Sequence, residues 1–207
     1  MKRAISISGA LLTILSFSLP AMAATTEKFQ VKGQNASASF YQSDDCSSSG
    51  VSVWAADSVS RSAPGAPTSE KGANVSYWNS NWCTGKYSYG YGYAPNVTFT
   101  ANNQLSSASL KGTFKVDEYS SENPDSTTAK TVDVALNWTG TGETFRGHSS
   151  SHYQWMGGMS HSRYVGSYRT ADVSGSVTMD GKNLIANIPG FGDLNSSSSG
   201  SMQITKR

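Results

Sequence analysis

Apolar and aromatic residues in this chain alternate with Ser, Thr and Gly over short stretches, and from residue 24 onward no stretch shows the helical period. Strand-like runs fall at Lys28 to Lys32, Ser37 to Gln42, Val51 to Ala55, Asn74 to Trp78 and Lys86 to Tyr93. Others follow at Val97 to Ala101, Ser106 to Val116, Thr131 to Trp138, Thr144 to Gly147, Tyr164 to Arg169, Asp172 to Met179, Leu184 to Ile188 and Ser201 to Thr205. Their spacing, roughly 8 to 14 residues, is that of a sandwich or barrel. The pattern predicts an all-β chain with a single antiparallel β-sandwich domain over residues 24–207.

Turn chemistry punctuates these runs. Asp180-Gly181 sits between two strand runs and readily takes the positive φ angles of a type I′ turn, which predicts a hairpin; Asn102-Asn103 is a weaker version. Ser43 to Gly50, Ser62 to Gly72 and Ser120 to Thr128 read as loops, the last two containing prolines. The Ser-rich tract Asn195 to Gly200 reads as a flexible turn ahead of a closing C-terminal strand. An outer-membrane barrel fits poorly, because few runs offer a continuous lipid-facing apolar row and Ile204 to Arg207 lacks a terminal aromatic residue.

The first 23 residues change the picture of where the chain works. Lys2 and Arg3, an apolar run from Ala10 to Leu19, then Pro20 and Ala21-Met22-Ala23 have the order of a cleavable signal peptide, with cleavage before Ala24. The apolar run is well short of the ~20 residues of a membrane-spanning helix, so a secreted or periplasmic protein without a transmembrane segment is expected. Without Lys2 and Arg3, 14 basic residues face 14 acidic ones, and the formal charge falls from +2 to zero. That balance gives no indication of a nucleic-acid partner. In an oxidising compartment Cys46 and Cys83 are expected to form a disulfide, since an isolated pair without CxxC spacing is a poor metal signature.

Three clusters carry candidate chemistry. Tyr87, Tyr89, Tyr91 and Tyr93 recur at period two, with Ser88, Gly90 and Gly92 between them, so any strand they share places all four rings on one face. With Trp78 and Trp82 nearby, an exposed face of this kind would stack on sugar rings; a buried one would pack against the facing sheet. The second cluster gathers every histidine of the chain, His148, His152 and His161, with Met156 and Met159. Imidazole and thioether ligands together favour copper, Cu(I) above all, although the spacing matches no zinc pattern and Gly157-Gly158 suggests an exposed hairpin loop. The third is basic: no Asp or Glu occurs between Glu143 and Asp172, whereas Arg146, Arg163 and Arg169 alternate with Tyr153, Trp155, Tyr164 and Tyr168. Arginine with aromatics suits an acidic glycan or a partner protein, and equally a solvated strand edge.

Catalytic signatures are missing from the sequence: there is no GxSxG, HExxH, Walker loop or GxGxxG after a strand. Asp44-Asp45 would be the obvious paired carboxylates, but they read more simply as loop residues beside the expected disulfide. The expectation is an exported, non-catalytic binding or surface-interaction module without a cofactor, with a glycan or cell-surface partner and the tyrosine face as platform. A periplasmic copper protein using the His/Met segment is the alternative, and a structural envelope or matrix protein is another.

Overall fold

A computed structural model describes residues 24–206; the segment read as a signal peptide lies outside the described residues. Eleven strands follow in chain order: β1 (Ala24–Ser43), β2 (Ser47–Ala63), β3 (Thr68–Asn81), β4 (Lys86–Ala94), β5 (Thr98–Ala101), β6 (Ser107–Ser120), β7 (Asn123–Gly140), β8 (Phe145–Trp155), β9 (Gly158–Met179), β10 (Lys182–Asn183) and β11 (Gly190–Lys206). Every pairing is antiparallel. One layer runs β11-β1-β2-β3-β4 and faces a second, β6-β7-β9. The layers are hydrogen-bonded to each other along both sides, where β4 meets β6 and where β9 meets β11. This closure leaves few unpaired edges on a chain of long strands.

Period-two alternation decides which residues meet inside. Ala36, Ala38 and Phe40 of β1, Val51, Val53 and Ala55 of β2, and Ala73, Val75 and Tyr77 of β3 point inward. They pack on Leu110, Phe114 and Val116 of β6 and on Val132, Val134, Leu136 and Trp138 of β7, all within one buried cluster. Small alanines opposite large rings let the two layers interdigitate. The Trp138 indole N–H crosses the interior and donates to the Ser37 carbonyl, which ties β7 to β1.

The same alternation explains why the core stops. Beyond Ala36, Ala55, Ala171 and Leu194 the inward positions become Gln34, Asp57, Arg169 and Ser196, then Lys32, Val59, Ser167 and Ser198. Four long strands therefore run past the packed body as a ribbon, with β8 added at its edge and every residue of β8 except Trp155 exposed.

Several loops expected from the sequence are strand instead. The stretch 62–72 narrows to a short turn, and 43–50 narrows to Asp44-Asp45-Cys46. Residues 123–128 belong to β7; the ladder register shifts opposite Tyr119, an irregularity that accommodates the missing N–H of Pro124. The Ser-rich 195–200 tract is the middle of β11, paired with β1 on one side and β9 on the other. The Asp180-Gly181 turn has both residues at positive φ, as a type I′ turn requires. Its second strand, however, ends after Asn183, where the chain turns: the Asn183 carbonyl accepts from the Ala186 N–H, its side-chain Oδ1 accepts from the Ile185 N–H, and Ile185 and Ile188 are buried in the core.

Candidate functional site

The tyrosine strand is shaped from its inner side. A Cβ at Gly90 would lie 2.6 Å from the Tyr77 ring and 2.7 Å from Val116, so no side chain fits between β4 and the core there. The four tyrosines occupy the opposite, outer face, at 45% to 58% exposure. Successive rings along β4 are about 7 Å apart, the two-residue rise of a strand. Their phenols are thus free of the core, and the inward phenol of this region is Tyr77, which donates a 2.8 Å hydrogen bond to Glu118 Oε2. Burial above all, followed by the hydrogen bond to Glu118 and its charge, pushes the Tyr77 hydroxyl well above the ordinary tyrosine range. It stays protonated as a fixed donor joining β3 to β6.

Neighbouring strands widen the aromatic face. Trp78 of β3 lies beside Tyr89, and on the far side of Tyr89 the ring of Tyr119 in β6 stacks on it with centroids 5.0 Å apart and planes 10° from parallel. Trp78 leans the other way over Gly50, whose missing side chain leaves the room it needs, and stacks with Tyr41 of β1 at 6.3 Å. Trp54 of β2 sits two rows along, in register with Asn74 and Tyr93. Ser52, Ser76 and Asp117 stand in the row of Tyr91 and offer hydroxyl and carboxylate groups among the rings. Tyr41, Trp54 and Tyr119 join this face from outside the period-two tyrosine run. Their signal was phase: each falls out of step with the apolar residues of its own strand, as Tyr41 does with Phe40 and Ala38.

Trp82 stands at the end of this face, in the turn that follows β3. Cys46 and Cys83 form a disulfide joining the β1–β2 turn to the β3–β4 turn, and the Trp82 indole N–H donates to the Asp45 carbonyl. Asp44 closes the first turn: its Oδ1 accepts from the backbone N–H of Cys46 at 2.8 Å and of Ser47 at 2.6 Å, and its Oδ2 from the Ser47 hydroxyl. These bonds, that from Cys46 first, hold the Asp44 carboxyl below its ordinary value of 3.8. They occupy Asp44 with turn geometry.

The histidine and methionine segment is a strand pair rather than a loop. His148 and His152 lie on β8, His161 and Met159 on β9, and Met156 is fully exposed in the turn between. His152 and His161 are cross-strand neighbours with ring centroids 6.4 Å apart. His148 faces Val165, four residues from His152 and about 13 Å along the strand. Met159 is opposite Gln154. The structure thus brings two of the five proposed copper ligands side by side, and among the described residues no three His, Cys, Asp or Glu side chains form a group that could hold a metal ion.

Strand alternation also sorts the basic and aromatic residues of this segment. Arg146, Arg163 and Arg169 share the face that continues the inner side of the sandwich, together with the histidines. Tyr153, Trp155, Tyr164 and Tyr168 are on the reverse face with Phe145. Arginine and aromatic side chains therefore do not form one mixed surface.

No protein-family model matches the chain, and no curated protein matches it. A crystal structure of a protein provisionally named AttH, from Nitrosomonas europaea, is similar at 11% identity with a TM-score of 0.30, over 88% of this chain and 52% of that one. The chain spans about half the length of that protein.

Proposed function

We propose that this protein is an exported, non-catalytic glycan-binding module whose platform is the outer aromatic face of β4 and its neighbours. The observation that carries the reading is the openness of Tyr87, Tyr89, Tyr91 and Tyr93 on a single strand face, flanked by Trp78 and stacked against Tyr119. Exposed aromatic residues in such number cost solubility, and a contiguous patch of them marks an interaction surface. Flat rings edged by hydroxyls suit pyranose rings, which present C–H groups on their faces and hydroxyls at their rims. Export is supported by the signal-like N-terminus and by the disulfide, which persists in oxidising compartments. No described helix is long and apolar enough to cross a membrane.

Retention of the purified protein in gels containing neutral β-linked polysaccharides tests the reading, with the double variant Y89A/Y91A as comparison. The expected result is loss of retention, an affinity drop of at least about tenfold, with the melting temperature nearly unchanged because these rings support no core contact. Retention that survives the double substitution would remove the platform from the account.

A further inference from the structure

The ribbon beyond the packed body has two unlike faces. On its core-side face the central strand β11 carries Ser196, Ser198 and Gly200 in succession before the larger Met202 and Ile204, so the floor is low between the sandwich and Met202. Long cationic side chains rise on either side: Lys28, Lys32 and Arg61 from β1 and β2, Arg163 and His161 from β9. The result is a trough. One hollow of about 540 Å³ has Lys28, Arg61, His161 and Arg163 around an apolar patch of Phe29, Ala63, Pro67 and Met202, and a second of about 430 Å³, lined by Lys32, Asp57, Val165 and Ser198, continues toward the sandwich. From Ser196 to Met202 the floor runs about 20 Å.

Charge on this face is one-sided. The ion pairs among the described residues are Lys71–Asp57, Lys86–Glu122 and Lys130–Asp180, so Lys28, Lys32, Arg61, Arg146 and Arg163 face no carboxylate within salt-bridge distance. Asp57, the acidic residue in the inner-face register of these strands, is already held by Lys71 at 2.9 Å. Neighbouring rows repeat the theme: Arg61, Gln30, Gly200 and Arg163 in one, Lys32, Ser198, Val165 and His148 in the next. A balanced overall charge thus conceals a local cationic strip, which attracts and orients an anionic partner.

We infer that this trough binds a linear acidic polysaccharide, its carboxylate or sulfate groups taken by the arginine and lysine walls and its hydroxyls by Ser196, Ser198, Gln30 and Gln34. The walls supply forked, charge-assisted hydrogen bonds, and the side-chain-poor floor lets a ribbon-like chain lie down between them. Single-stranded nucleic acid is less well matched, because its bases need a row of rings to stack on, whereas Phe29 is the one Phe, Tyr or Trp ring lining the two hollows and the aromatic residues of β8 and β9 point to the reverse face. A lipid surface is also less well matched, because the cations line a recess. This site is separate from the tyrosine platform and does not depend on it.

The test uses the purified protein with three probes: polygalacturonate, oligothymidylate and phosphatidylglycerol vesicles, with dextran as neutral control. Salt-sensitive binding of polygalacturonate is expected, weakened about tenfold in R61S/R163S and unaffected in K86S, whose lysine is exposed at the start of β4 and paired with Glu122. Both arginines of the double variant are exposed, so circular dichroism should show an intact fold, and Y89A/Y91A should bind polygalacturonate as the parent does. Absence of polygalacturonate binding, equal binding by R61S/R163S, or tighter binding of the oligonucleotide or the vesicles would each overturn the inference.

Discussion

Replacing Trp138 with alanine is expected to cost the fold about 3 to 5 kcal/mol, the range for deleting a buried large aromatic ring, measured by urea denaturation. The side chain is 1% exposed and is among the largest fully buried ones. It also holds the hydrogen bond from β7 to the Ser37 carbonyl of β1, so the substitution removes apolar contact and a link between the layers at once. Against a typical total of about 5 to 15 kcal/mol, such a loss leaves a marginal protein. Trp138→Phe separates the two parts: it retains most of the apolar volume and loses the N–H donor, and should cost about 1 to 2 kcal/mol beyond its smaller ring. A loss under about 1 kcal/mol for Trp138→Ala would mean that the two layers do not share one core.

The second large effect is expected from C46S/C83S. The disulfide closes a separation of 37 residues, for which chain-entropy arguments give about 4 kcal/mol of stabilisation. The bridge joins two turns that the ladders β1–β2 and β2–β3 already bring together, so its absence should lower stability without changing the strand register. The expected readout is a lower urea midpoint with an unchanged native circular dichroism spectrum and retained neutral-glycan binding below the transition. An unchanged midpoint would show that the bridge leaves the unfolded chain as free as before.

How far the sequence anticipates this structure depends on which residues carry the signal. Alternation such as Val51-Ser-Val53-Trp-Ala55 fixes both strand and face, because a strand has only two sides. The bonded cysteines and the Asp180-Gly181 turn are likewise local chemistry, readable without tertiary knowledge. Serine tracts mislead for a physical reason: Ser196 to Ser199 have loop composition, yet β1 and β9 satisfy their backbone groups on both sides and make them a central strand. The His and Met segment shows the same effect of pairing: it forms the expected exposed hairpin, but as two long strands that set His152 beside His161 and place His148 farther along β8.

The candidate sites divide along the same line. Gly90 and Gly92 between tyrosines mark a crowded inner side and therefore an outward tyrosine face, a reading available from one strand alone. The trough is different, because Lys28, Arg61 and Arg163 are far apart in sequence and converge through the registers of β1, β2, β11 and β9. A net charge near zero hides such a patch. Only pairing reveals that alternate positions on four strands place the cations together and leave Glu27 and Glu70 on the reverse face.

The most direct test of the proposed platform is to label the tyrosine rings with carbon-13 and record their NMR spectra during titration with cellohexaose, xylohexaose and chitohexaose. The account predicts that at least one of these shifts the signals of Tyr89, Tyr91 and Tyr119 together, in a saturable way, while Tyr153 and Tyr164 on the reverse face of the ribbon stay unmoved. Shifts confined to Tyr153 and Tyr164, or none with any of the three, would contradict it.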